Sequence, residues 1–336
     1  MRKEEYQQIS FTVKVIVSVI ALICAFVIAM SWGAARIPIK EVWSLLLTDT
    51  DASTASVIRE IRLPRELAAI FVGAGLSVSG AIMQGITRNP LADPGLLGLS
   101  AGASAALAIT LAVAPNANYF VIMMACFIGS VIGASMVFGV GLVKKGGHSP
   151  FRIVLAGAAV SALLYAIAEG VGIYFKVSKR MSMWTSGGLS GTSWDQLKII
   201  IPFIAIGIII AQLLARQLTV LSLDEDVAVG LGQKTTRVKW MLFCVMTLLA
   251  GASVALVGNI VFVGLMVPHI VRAIVGADYR FVIPMSAIVG AIFMLLADTL
   301  GRTVHAPYET PVAAIVALMG LPFFLVIIRK GGKAIS

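Results

Sequence analysis

Charge is scarce in this sequence. Only 16 of its 336 residues are acidic, and charged residues of both signs make up 12%, against about 25% in an ordinary soluble domain. Hydrophobic residues reach 59% and the mean hydropathy is +0.98, which excludes a water-soluble globular chain. Cysteine is nearly missing. Cys24, Cys126 and Cys244 each lie inside an apolar run, without the close spacing of a redox or zinc motif, and read as small buried hydrophobes. His148, His269 and His305 are far apart, so no metal site is indicated. The acids are too dispersed for an intramembrane enzyme, and no catalytic residue is assigned. A phosphate-binding loop is also lacking: "GLGQKT" (Gly230–Thr235) has no glycine before Lys234, where backbone amides would have to cradle phosphate. The chain itself holds no cofactor on this reading, and if ATP and its Mg²⁺ drive it, a partner hydrolyses the nucleotide.

The net charge of +10 would suit a nucleic-acid partner, but the basic residues are scattered through loops. In a membrane protein such an excess marks topology instead. Apolar stretches of eighteen or more residues read as spanning helices. The sequence predicts an all-α polytopic membrane protein, one transmembrane domain over residues 1–336, with ten spans near 12–32, 64–86, 96–113, 119–143, 151–173, 197–215, 240–257, 260–275, 281–300 and 310–329. The first run exceeds the 7–15 apolar residues of a signal peptide, and Glu4 and Glu5 dilute its basic start, so it reads as a span. "PNAN" (Pro115–Asn118) breaks the fifty uncharged residues from Pro94 to Val143. Gly258–Asn259 divides the seventh span from the eighth, both of which are expected to be short. With both termini in the cytoplasm, sixteen of the 26 basic residues fall inside and ten outside. The direction obeys the positive-inside rule. The exceptions cluster around Arg59–Arg65 and Lys176–Arg180.

The largest cytoplasmic excursion is about 216–239, between spans six and seven. There Asp224, Glu225 and Asp226 precede Val227-Ala228-Val229 and Gly230-Leu231-Gly232. Acids at the start and glycine at the end suit a short helix, either a docking knob or a solvated capped turn. Within the spans, Gly73, Ser77, Gly80 and Gly85, and later Gly129 and Gly133, are small residues of the kind that let helices approach closely. Two breaker-rich segments stand out: "NPLADPGLLG" (Asn89–Gly98), with Asn89, Pro90 and Pro94, and "FVGLMVPHIVR" (Phe262–Arg272), with Pro268 and His269. Irregular backbone at membrane depth belongs in protein interior or beside water, so both are expected to line or gate a path. A lone histidine such as His269 is usually hydrogen-bonded near a helix end. Glu169 and Asp298 fall near outer span ends, where interfacial placement or pairing, Asp298 with Arg302, is expected.

Taken together, several motifs resemble the permease subunits of bacterial iron-siderophore and cobalamin ABC importers, the FecCD-type family. They are "RLPR" (Arg62–Arg65), "SGAIMQGITRNPLADPGLLGLSAGA" (Ser79–Ala103), "GLG" (Gly230–Gly232), "FVGLMVPHIVR", "ADTLGR" (Ala297–Arg302), "ETP" (Glu309–Pro311) and "GLPFFLVIIRK" (Gly320–Lys330). The chain departs from the family pattern at Asp224 and Ala313, where glycine is common. The resemblance implies ten spans, with Leu221–Gly232 as coupling helices for cytoplasmic ATPases. It also implies Arg62, Arg65 and Arg302 presented on the outer face to an acidic extracytoplasmic binding protein, the alternative being snorkelling anchors. Lys176, Lys179 and Arg180 have no match in the family and read as solvated. A second permease subunit is required, a related chain being favoured over a second copy. The implied cargo is a ferric siderophore, hydroxamate first, with catecholate, haem and cobalamin as alternatives. An ion-coupled secondary transporter is the competing class, but it should carry acids or histidines deep in several spans.

Overall fold

The computed structural model describes residues 2–33, 38, 42, 44, 53–142, 150–186 and 188–329. Every element among them is helical. In chain order these are α1 (Arg2–Ser31), a turn Ser53–Ser56 and a π-helical turn Val57–Arg62 running into α2 (Leu63–Thr87), α3 (Leu99–Val113), α4 (Tyr119–Leu142), α5 (Pro150–Tyr174) and α6 (Ser178–Thr185). There follow α7 (Trp194–Leu213), α8 (Ala215–Leu223), α9 (Glu225–Gly230), α10 (Thr235–Val257), α11 (Val263–Val275), α12 (Tyr279–Thr303) and α13 (Val312–Arg329). Each of the ten predicted spans is a helix. Seven helices are long and apolar enough to cross a membrane, while α3, α11 and α13 are shorter apolar helices.

The seventh span is not short, contrary to expectation. It begins at Thr235, inside the charged stretch, and runs 23 residues to Val257. Only α11 is short. At 1.5 Å per residue, α3 and α11 cover roughly 20–22 Å, less than the roughly 30 Å of a hydrocarbon core. Irregular segments before each helix make up the difference. Residues 88–98 precede α3, and residues 258–262, with Gly258 and Phe262 both at positive φ, precede α11.

The core is arranged around α2, most of whose residues are buried. Its glycines explain why. A Cβ on Gly73 would stand 2.2 Å from the Gly290 carbonyl of α12, and one on Gly80 would stand 1.9 Å from the Gly264 carbonyl of α11. On Gly75 it would meet the Ser253 hydroxyl of α10 at 2.8 Å. Each small residue admits a different neighbour at backbone distance. Gly102 of α3 and Gly129 of α4 seat the next pair in the same way. At the periphery few residues of α1 and a minority of those in the apolar stretches of α5 and α7 are buried; their exposed Val, Ile and Leu faces suit lipid, not water.

Hydrogen bonds between segments far apart in sequence mark the two ends of the bundle. At one end Trp194 Nε1 donates to the Arg59 carbonyl at 3.0 Å and Arg180 to the Pro115 carbonyl at 2.9 Å. At the other Thr219 donates to Asp278 at 3.2 Å and Lys14 to the Ile274 carbonyl at 2.8 Å. The charge rule expects the first, hence the outer end, to face outward and the second, the inner end, to face inward.

Candidate functional site

At the outer end the arginines of "RLPR" and "ADTLGR" meet. Helical spacing puts Asp298 and Arg302 on one face of α12, and that face packs on the start of α2. Arg65 grips Asp298 as a fork: Nε lies 3.1 and 3.0 Å from the two carboxylate oxygens and Nη2 lies 2.9 Å from Oδ1. Its remaining nitrogen, Nη1, donates to Glu309 at 2.8 Å. Arg302 donates to Glu66, and its Nε stands 2.9 Å from Asp298. Arg62 donates to the Met30 carbonyl at 2.8 Å. The expected Asp298–Arg302 pair is therefore present, inside a larger cluster.

The three arginines expected at the outer face are largely buried there among carboxylates of the same chain. Arg62, Arg65 and Arg302 are only 6%, 8% and 4% exposed. A guanidinium taken out of water needs a carboxylate beside it, and Glu66, Asp298 and Glu309 lie where they can supply one. The sequence reading missed Glu66 and Glu309 as their partners, although Glu309 opens the quoted "ETP". Glu309 differs from the other two acids. Asp298 and Glu66 are fully buried, whereas the Glu309 side chain is 41% exposed. Burial would raise its pKa. Hydrogen bonds from Arg65 and Ser190, and the charges of Arg65 and Arg302, outweigh that and hold the carboxyl below its ordinary value. Arg65 and Glu309 both line a cavity of about 460 Å³, together with Arg180, Tyr119, Trp184 and Ser190.

At the inner end the acidic stretch forms the expected short helix. Asp224 is the N-cap of α9, its side chain accepting from the Asp226 N–H at 2.8 Å. Gly232, at φ +78°, ends it, with Gln233 N–H reaching back to the Ala228 carbonyl at 3.0 Å. The stop is a left-handed turn of the kind glycine favours. Two ion pairs fix the segment: Asp224 to Arg88 at 3.2 Å and Glu225 to Lys239 at 2.6 Å. The departure at Asp224 thus has a use, as both helix cap and tether. Ala228 is buried, while Leu223, Val227, Val229 and Leu231 are exposed, leaving an apolar knob on a polar surface.

The two breaker segments come together against α2. Asn89 Oδ1 accepts from the Leu91 N–H at 2.9 Å, and Asp93 caps the 3₁₀ turn Pro94–Leu97. A Cβ on Gly264 would stand 3.2 Å from Pro94 and 3.0 Å from the Leu76 carbonyl. The space enclosed there is about 20 Å³, about enough for a single water. Pro268 has no N–H for the Gly264 carbonyl; Gln84 of α2 donates to it instead at 3.2 Å, and to the Leu265 carbonyl at 3.1 Å. Sequence reasoning passed over Gln84, for which the signal was a lone amide in an otherwise apolar span. His269, expected to be hydrogen-bonded, has neither ring nitrogen bonded to a described residue. It is buried edge-on against Phe323, centroids 5.7 Å apart. Pro90 lies in the turn after α2. Among the described residues, no cluster of three His, Cys, Asp or Glu side chains could hold a metal ion. Glu169 is exposed on α5 and lines a separate cavity of about 420 Å³.

Comparison with known proteins identifies the family. The family model described as the FecCD transport family matches residues 21–330. The chain is 40% identical over 332 residues to the iron(3+)-hydroxamate import system permease protein FhuB of Bacillus subtilis (strain 168), covering 97% of this chain and 86% of that one. It is 39% identical over 320 residues to the iron-uptake system permease protein FeuB of the same organism, covering 95% and 96%. A solved structure described as an inward-facing conformation of a metal-chelate type ABC transporter superposes with a TM-score of 0.82 at 27% identity, over 94% of this chain and 98% of that one. Matched in sequence and in fold over nearly its whole length, the chain belongs to the FecCD transport family, as a multi-pass membrane permease subunit of an ABC importer and not an enzyme.

Proposed function

We propose that this permease carries a ferric siderophore, hydroxamate-type first, from an extracytoplasmic binding protein into the cytoplasm. The observation that carries the cargo is the 40% identity, over nearly the full chain, to a relative named for iron(3+)-hydroxamate import. Relatives named for ferric citrate, hemin and ferric enterobactin transport match at 34–38%, so those chelates are the next to test. Cobalamin stands after them.

Both termini and α9 lie in the cytoplasm on this reading. Two ATPase subunits, which bind and hydrolyse Mg-ATP, seat on the knob formed by Asp224, Glu225, Asp226, Ala228, Gly230, Leu231 and Gly232. Its exposed apolar side chains support that role, since a solvated loop has no reason to present them. A force on α9 reaches the breaker segments through the Asp224–Arg88 pair, because Arg88 adjoins Asn89. Asn89, Pro90, Pro94, Pro268 and His269 then belong to the part of the path that rearranges. The arginine cluster at the outer end receives carboxylates of the binding protein. A second permease, favoured to be a related chain, completes the path within the lipid.

The test is uptake of radioactive iron as a hydroxamate chelate in cells lacking this chain and in the same cells with it restored. Restoration-dependent uptake is expected. Equal uptake in both would remove the hydroxamate assignment and move the test to citrate, catecholate, haem and cobalamin cargo.

A further inference from the structure

Among the described residues, the cavity at the outer end has one acid in its wall. Arg65 and Arg180 are its two guanidiniums, and Glu309 is the single carboxylate among the lining residues. The partners of Arg65 divide into two kinds. Asp298 takes Nε and Nη2 as a fork and is fully buried, on a helix packed to its neighbour at backbone distance. Glu309 takes only Nη1, is 41% exposed, and stands in the loop between α12 and α13. The backbone beside it is pinned, because Thr310 N–H donates to the Gly301 carbonyl at 2.9 Å. Rotation of the Glu309 side chain alone would therefore take its carboxylate out of the cluster. Its second oxygen is held by Ser190, in a loop itself anchored by Gly188 N–H to the Val257 carbonyl at 3.0 Å.

We infer that Glu309 is an internal placeholder for a carboxylate of the docking binding protein. With Glu309 swung out, the described residues of the cavity wall hold two guanidiniums and no acid, and Nη1 of Arg65 points at an open site of side-chain size. An Asp or Glu from an acidic protein surface matches that charge and donor geometry. The exchange replaces one carboxylate on Arg65 by another, so Arg65 is never left buried without a partner. The placeholder also limits affinity. If Glu309 occupies Arg65 for about nine-tenths of the time, apparent affinity falls about tenfold, which favours release of the binding protein after delivery. The inference rests on the docking reading proposed above.

The test uses the assembled transporter in lipid nanodiscs, titrated with the extracytoplasmic binding protein of its own import system. Glu309→Gln keeps the shape but gives up the charge, and is expected to lower the half-saturating concentration about three- to tenfold. Ser190→Ala loosens the placeholder without removing it and should shift binding the same way by less. It carries the test if Glu309→Gln fails to reach the membrane. Binding that is unchanged or weaker in both variants overturns the placeholder and makes Glu309 a structural brace. Arg65→Gln distinguishes that failure from a failure of docking itself. If it is present at normal level and binds as the parent does, the arginine cluster is not the docking site and the placeholder falls with it.

Discussion

Pro268 leaves one carbonyl of α11 without its helical donor, and a single side chain on another helix makes good the loss. In the apolar interior an unpaired carbonyl is costly, yet Gln84 is aimed at it because Gly80, one turn earlier on α2, lets the two backbones meet. Gln84→Leu keeps the volume and removes the donor. It is expected to lower stability by about 1–2 kcal/mol, since hydrogen bonds between membrane helices are worth less than in the simplest accounting. Gly80→Ala should cost more, about 1–3 kcal/mol or beyond, because the methyl has only backbone to push against. Thermal unfolding of the purified permease in detergent measures both. A Gln84→Leu protein with the parent's midpoint would show that the carbonyl finds another donor.

At the inner end, α9 leaves apolar side chains without a partner in the described residues. Its N-cap, its glycine stop and its two ion pairs hold it in place without using the side chains of Val229 and Leu231. Changing those two to Asp should leave the unfolding midpoint where it is. Central apolar anchors carry most of an interface's energy, so retention of the ATPase subunits on purification is expected to fall at least tenfold, on the order that hot-spot losses produce. Full retention would make α9 a solvated turn. The helix was legible beforehand because its signals are local: three acids, a short apolar run, a glycine. The same reasoning could not foresee that α10 begins at Thr235, since Arg237 and Lys239 argued for a loop. Lys239 is nearly buried because Glu225 lies beside it, and that pairing spans two elements.

For the molecule as a whole, the direction of insertion decides which end meets which partner. The charge rule sets α6, with its exposed Lys179, outside and Lys234 inside. In a cysteine-free background a membrane-impermeant maleimide should label Lys179→Cys in intact cells, and Lys234→Cys only after permeabilisation. The reverse pattern would turn the docking and coupling ends around. It would also leave the bundle itself untouched, because helix packing through Gly73, Gly80 and Gly102 does not depend on orientation.

Spans, breaks and the small-residue contacts could be read from the chain because each follows from composition within one segment: apolar length, a Gly-Asn or Pro-Asn interruption, glycines one turn apart. Membership of an importer family followed from the order of motifs along the chain. The state of the arginines did not follow. Whether Arg65 faces a partner protein or a carboxylate of its own fold depends on residues 233 and 244 positions away. No property of "RLPR" records that distance. Charges in low dielectric are settled by whichever opposite charge the packing brings within reach, and packing between distant helices is decided by the folded molecule.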